Sequence, residues 1–230
     1  MKSVQSHTRS NRDLPECWKG ILRVGLTGGI GSGKSAVCSM LQGYGIPIFD
    51  ADSIARILMV RDTILKRRII AGFGSHMYNA DGSLNRQAMS GMVFSDPVRR
   101  KQLEHLVHPR VMKEIDRFFN DTDTALYGIV EAALIYEAGI DSRLDYTIVV
   151  DAEERNRIAR IHDRDGMAGE DIRQRMKAQM PVEEKRRRAD FVIINNGTLD
   201  DLNKQVFFIH TILSGLGRRP PESDTESGTE

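Results

Sequence analysis

The 230-residue chain has only two cysteines, Cys17 and Cys38. Their number and spacing argue against a disulfide framework or a zinc-type site and fit reduced thiols in a cytoplasm. Long hydrophobic runs are missing: no apolar stretch approaches the ~20 residues that cross a bilayer. The N-terminal MKSVQSHTRSNRDLPECWKG has no apolar core, so it does not read as a secretory signal, and Asp13 and Glu16 spoil an amphipathic transit pattern. Residues 1–20 are therefore read as a flexible extension. A charge excess is also missing. Lys and Arg total 33 against 32 Asp and Glu, a net of +1 that argues against nucleic acid or a membrane surface as partner. No repeat and no heptad seam appears, so the oligomeric state is not legible.

What is present is an ordinary globular balance, 40% hydrophobic and 28% charged, in a length suited to one domain with small inserted parts. Short apolar runs at Ile21–Leu26, Ile46–Phe49, Ala125–Val130, Asp145–Val150 and Phe191–Ile194 read as strands. Helical patterns lie between them. They cover Lys34–Leu41, Ser53–Ile70, Asn85–Phe94, Val98–Phe119, Glu153–Met180 with a break at Gly166–Gly169, and Leu199–Leu213. The first strand, helix and second strand read as a βαβ unit of a parallel sheet. The alternation predicts a three-layer α/β fold with a five-stranded parallel sheet, in which ligands bind beyond the carboxyl ends of the strands. The folded domain is placed at 21–216 and a polar, disordered tail at 217–230.

Gly28-Gly29-Ile30-Gly31-Ser32-Gly33-Lys34-Ser35 matches G-x-x-x-x-G-K-[ST], between a predicted strand and a predicted helix. Glycines let backbone N–H groups close on phosphate oxygens, where Cβ atoms would obstruct them or forbid positive φ. The loop delivers the phosphates to a helix N-terminus, whose free N–H groups and dipole favour anions. Gly29 to Ser35 are thus the expected ATP-binding residues. Lys34 would reach the β- and γ-phosphates, and the Ser35 hydroxyl would hold Mg²⁺.

This loop alone does not choose among phosphate chemistries. A guanine switch would carry N-K-x-D, and Asn203-Lys204-Gln205-Val206 fails at the carboxylate. No L-S-G-G-Q appears, which argues against a transporter ATPase. A small-molecule kinase is the natural candidate. Asp50-Ala51-Asp52 follows the second strand, and two carboxylates at i and i+2 point the same way if the extended backbone persists. Asp52 is assigned as the base for an acceptor hydroxyl, and Asp50 as a more distant partner of Mg²⁺ or of Lys34. The alternative for Asp52 is a plain N-cap of the helix near Ser53. Residues 153–188 hold eleven Lys or Arg against eight Asp or Glu. Arg157, Arg160 and Arg164 fall on one helix face, which suits a lid closing over phosphate, or alternatively a solvated charged face. Of Lys185-Arg186-Arg187-Arg188, one is expected to meet phosphate and the rest to be solvated.

These residues resemble a family. L-T-G-G-I-G-S-G-K-S at Leu26–Ser35, D-A-D-x-x-A-R at Asp50–Arg56, D-G-x-L-N-R at Asp81–Arg86, H-P at His108–Pro109, Y-E-A-G at Tyr136–Gly139, R-x-x-R-x-x-x-R-D at Arg157–Asp165 and A-D-x-V-I-x-N-x-G at Ala189–Gly197 are similar to dephospho-coenzyme A kinases, in order and spacing, from about Leu22 to Phe208. The resemblance implies a P-loop NTPase fold with a helical acceptor-binding region at 53–120 and a lid at 152–188. It implies ATP-dependent phosphorylation of the ribose 3′-hydroxyl of dephospho-coenzyme A, the last step of coenzyme A synthesis, in the cytoplasm. Asp52 would take the hydroxyl proton, with Lys34, Arg160 and Arg164 as the other catalytic residues. Asp81, Asn85, Arg86, His108 and Arg110 would serve the acceptor, although His108 also suits a packing role at a helix start before Pro109. Asn195 and Asn196 would face the adenine of ATP, or form a plain turn. The chain departs from the pattern at Ala36, where Thr is common, at Arg157, where Gln is common, and at Glu131-Ala132-Ala133 after the third strand. Other acceptors, such as nucleosides, shikimate-like molecules or sugars, and a non-catalytic nucleotide switch, are the competing readings.

Overall fold

The computed structural model describes residues 21–122 and 124–217. The extension 1–20 with Cys17, and the tail from residue 218, lie outside them. Five strands form one parallel sheet. They are β1 (Leu22–Gly28), β2 (Ile48–Asp50), β3 (Tyr127–Glu131), β4 (Tyr146–Asp151) and β5 (Phe191–Ile194), in spatial order β2-β3-β1-β4-β5. β1 is central and buried along six of its seven residues. A strand covered on both faces reads as a continuous apolar run, and this is why LRVGL was legible. The expected strand–helix–strand unit lies within one sheet, but β1 and β2 are not neighbours, because β3 sits between them.

Two apolar cores flank the sheet. One joins Val24, Leu26, Ile148 and Ile193 to Val37 and Leu41 of α1 (Lys34–Gly43) and to Leu202, Val206 and Leu213 of α9 (Leu199–Gly217). In this layer Cys38 is buried, and burial pushes its thiol up to about 12, so it stays an unreactive neutral group. The other core joins Phe49, Val130 and Val149 to α2 (Ala51–Arg61), α3 (Thr63–Phe73), α4 (Arg86–Ser95) and α5 (Pro97–Asp121). The result is the three-layer arrangement expected, with the helical insertion on one face.

One feature of that insertion differs from the expectation. The pattern at Ser53–Ile70 is two helices, because Asp62 ends α2 and its carboxylate caps α3 through the N–H groups of Ile64 and Leu65, both at 3.0 Å. The helix expected over Val98–Phe119 forms, so the helix-start role weighed for His108 before Pro109 does not arise. α5 begins at Pro97 behind the Asp96 cap and runs through Pro109. Proline there removes the N–H that would bond to the His105 carbonyl. The stripe Leu103, Val107, Val111, Ile115 and Phe119 stays buried on both sides of it and holds the helix together. The third stretch comprises α6 (Glu154–Asp165), α7 (Gly169–Lys177) and α8 (Val182–Arg188).

Candidate active site

The glycine loop leaves β1 at Gly28 and enters α1 at Lys34. Gly33 occupies the N-cap with φ 100° and caps no N–H with a side chain, so the first turn of α1 keeps its donors free. Gly31 is also left-handed, at φ 76°. A Cβ at Gly33 would stand 2.1 Å from Asn195 Nδ2, and one at Gly31 2.7 Å from the Arg157 carbonyl. Both positions therefore need glycine for conformation and for space. Ser32 is fully buried, and its hydroxyl has no hydrogen-bond partner among the described residues. Ser35 is exposed in the first turn of α1.

Register brings the acidic groups to the loop. Asp50 ends β2 directly beside Glu131 at the end of β3, and Glu131 lies beside Leu26 of β1. Lys34 Nζ stands 3.7 Å from Glu131 Oε1 and 3.4 Å from the Gly28 carbonyl, to which it donates. Burial raises the Glu131 carboxyl above the usual range; Asp52 and Asp50 push it further, and Lys34 opposes them. The expected extended course through Asp50-Ala51-Asp52 does not persist, since α2 starts at Ala51. Asp50 is the helix cap, accepting from Ser53 N at 2.8 Å and Ser53 Oγ at 2.6 Å. The partner of Lys34 is thus Glu131, and the cap considered for Asp52 belongs to Asp50. Asp52 lies in the first turn of α2 and accepts one long bond, 3.3 Å, from Ala133 N.

The three arginines expected on a lid separate. Arg157 is buried, and its Nε donates to the Ile30 carbonyl at 2.9 Å; burial lowers its pKa from the usual guanidinium value. Arg160 donates to the carbonyls of Ser32 at 3.4 Å and Asn195 at 2.9 Å. Arg164 is exposed instead and forms a two-pronged pair with Asp165, at 2.8 and 2.7 Å. The lid also reaches the loop through Gln179, whose Oε1 accepts from Ile30 N at 3.0 Å. Asn195 is buried, with its amide turned to the Ser32 carbonyl at 2.8 Å, so it braces the loop rather than facing open space. Asn196 instead lines a polar cavity of about 300 Å³ with Arg157 and Arg186. Of the cations at 185–188, only Lys185 is buried. Lys185 is fully buried on Glu137 at 3.0 Å and the Ala133 carbonyl at 2.7 Å, and burial lowers its pKa. Arg186 pairs with Asp151 and Arg188 with Asp141, while Arg187 is exposed.

In the helical region, Asp52 and His108 line one apolar cavity of about 180 Å³, together with Glu104, Met59 and Leu134. Burial lowers the His108 imidazole below its usual value, which favours the neutral ring. Arg110, two residues on, is turned away and pairs with Asp62, the cap of α3. Asp81 holds its own turn through Ser83 N and Oγ, and Asn85 caps α4 through Ala88 N. Arg86 lines a larger open cleft of about 1150 Å³ along α2, shared with Ser53, Arg56 and Arg61. The expected acceptor residues are therefore divided. His108 and Arg86 line cavities, while Asp81, Asn85 and Arg110 hold local structure. Sequence reasoning missed Gln179, Arg56 and Arg61, and left open whether Glu131 belonged to the site. Arg56 closes the D-A-D-x-x-A-R motif, which was its only signal.

The dephospho-CoA kinase family model matches residues 22–201. A dephospho-CoA kinase of Chlorobaculum tepidum is 44% identical over 193 residues, covering 80% of this chain and 91% of that one. The dephospho-CoA kinase of Thermosynechococcus vestitus is 36% identical over 199 residues, covering 86% and 98%. The crystal structure of TT1252 from Thermus thermophilus superposes with a TM-score of 0.73 at 35% identity, covering 86% of this chain and 99% of that one. By sequence along nearly its whole folded length, and by fold, this chain belongs to the dephospho-CoA kinase family.

Proposed function

We infer that this chain transfers the γ-phosphoryl group of ATP to the ribose 3′-hydroxyl of dephospho-coenzyme A, giving coenzyme A and ADP. Family membership supports the reaction, and one geometric observation carries the assignment of roles. Asp52, relieved of capping by Asp50, belongs to the same electrostatic cluster as Glu131, which pairs with Lys34 of the phosphate loop. The acceptor alcohol and the donor phosphates then meet between these groups. The 3′-oxygen attacks the γ-phosphorus, the bond to the β-bridging oxygen breaks, and the hydroxyl proton passes to Asp52. Lys34, the loop N–H groups and Arg160 spread the charge of the leaving ADP. Arg164 joins them only if the lid turns it away from Asp165.

The residues present suit Mg²⁺ of the kind held mainly by substrate phosphates and water, with few protein ligands. Among the described residues, no group of three or more His, Cys, Asp and Glu forms a cage for a metal. The exposed Ser35 hydroxyl would hold the ion, with Asp50 more distant. Bound there, Mg²⁺ would neutralise phosphate charge. The polar cavity at Asn196 is the space left for the donor's adenine. Among the described residues, no helix is long and apolar enough to cross a membrane. The cytoplasm, where ATP and the acceptor are found, is the proposed location.

An ADP-release assay with and without dephospho-coenzyme A tests the reading. Release that depends on this acceptor, with nucleosides, shikimate and sugars inert, is the expected result. Equal release without any acceptor would remove it.

A further inference from the structure

Resting on the reading of Asp52 as the base, we propose that Lys185 is a positioning residue that aims Asp52 through the main chain of Ala133. Ala132 N still bonds to the Leu26 carbonyl of β1 at 3.1 Å, but Ala133 lies in the turn beyond β3, where strand pairing no longer fixes the backbone. Both polar main-chain groups of Ala133 are engaged by side chains. Its N–H donates to Asp52 Oδ2 at 3.3 Å, and its carbonyl accepts from Lys185 Nζ at 2.7 Å and from Thr27 Oγ1 at 3.2 Å. Thr27 immediately precedes Gly28, where the phosphate loop begins. One residue thus joins three parts of the site: the donor loop, the acceptor's base and helix α8.

A role in stability alone accounts poorly for this lysine. Lys185 is fully buried, and taking an ammonium wholly out of water costs more than pairing usually returns. Burial lowers its pKa, while Glu137 at 3.0 Å favours the charged form. Glu137 also accepts from Met180 N at 2.8 Å, so that carboxylate meets the segment between α7 and α8 without the lysine. An apolar side chain would pack α8 at this point with no ion to desolvate. What it would lack is a donor for the Ala133 carbonyl. Asp52 is held by one long bond to the same residue, so a small shift of Ala133 turns it. Phosphoryl transfer depends on positioning, and such a shift is felt in the rate. With α8 seated, Lys185 fixes Ala133 and Asp52 faces the acceptor; with α8 lifted, the base is released.

The test is a double-mutant cycle of Lys185→Met with Asp52→Asn, read by steady-state kinetics with ATP and dephospho-coenzyme A. Methionine fills similar space and removes the donor. Alone, Lys185→Met should lower kcat about ten- to hundredfold with KM for both substrates within about threefold, as a misplaced catalytic group does. In the Asp52→Asn background it should lower kcat by less than about threefold further, because residues that act as a unit are not additive. Ala133→Pro deletes the N–H that meets Asp52 and leaves the buried ion pair in place. It should show the same loss alone and the same silence beside Asp52→Asn, and it carries the test should Lys185→Met not fold. Equal losses in both backgrounds would overturn the proposal, since a structural role does not depend on Asp52. So would an unchanged kcat with a raised KM for ATP, which would make Lys185 an anchor for α8 alone. A wild type that makes no coenzyme A, or full turnover in Asp52→Asn alone, would remove the underlying reading instead, and both are read before any other variant.

Discussion

The role proposed for Asp52 depends on a neighbour. Asp50 takes both hydrogen bonds of the helix cap, so Asp52 is left with one long contact to Ala133 N and a place beside the phosphate loop. Asp52→Asn keeps the shape and removes the proposed proton acceptor. It should lower kcat about 10²- to 10⁴-fold in steady-state assays, with KM for ATP within twofold. Unchanged turnover would leave Asp52 as an ordinary first-turn acid of α2. Lys34→Ala should lower kcat by about 10²- to 10³-fold, as loss of an electrostatic donor to developing charge does. It also leaves Glu131 half-buried without its counter-ion. The glycines, Lys34 and Ser35 were legible because their chemistry is local: φ angles and main-chain approach are written in consecutive residues. The partner of Lys34 was not, because strand register sets it across about a hundred residues of chain.

At the scale of elements, the join between α2 and α3 shows what a single carboxylate can do. Asp62 stops one helix, caps the next and receives Arg110 from α5. The N–H of Leu65, followed by Arg110, holds its pKa below the usual 3.8. A depressed carboxyl adds stability above its unfolded pKa, and that stability is lost as pH falls through the lower folded value. Asp62→Ala should therefore cost about 1 to 2 kcal/mol at pH 7 in urea unfolding, as a lost cap does. The gap from wild type should close as pH drops below 3.8. A gap that persisted in acid would mean that packing, not the charged cap, accounts for it. Pattern reading merged α2 with α3 because the apolar period barely pauses at Asp62. The helix over Val98–Phe119 was legible across Pro109, because the apolar stripe keeps its period past it. The Asp81-Gly82 turn and the break at Gly166 were legible, since both glycines adopt positive φ, 82° and 64°.

At the scale of the molecule, the lid rests on the phosphate loop at few points. Gln179 and Arg157 grip Ile30 of the loop and Arg160 reaches Ser32, while beyond β3 Glu137 accepts from Met180 N and Lys185 reaches Ala133. Gln179→Ala removes one of these and should speed hydrogen exchange across α7 about fivefold while leaving the central strands unchanged, as a single lost bond predicts. No change in α7 would mean that the lid is anchored elsewhere. The five strands and three layers followed from apolar runs alternating with helical periods. The order β2-β3-β1-β4-β5 did not, since non-local pairing leaves no local trace. The direction of Asn195 was likewise hidden, because it is set by the Ser32 carbonyl on a distant loop.

The most direct test of the central claim is the product itself. After incubation with ATP, Mg²⁺ and dephospho-coenzyme A, ³¹P NMR should show a new phosphate monoester on the ribose 3′-oxygen, formed in step with ADP. ADP without that ester, or an ester at another oxygen, would contradict the account.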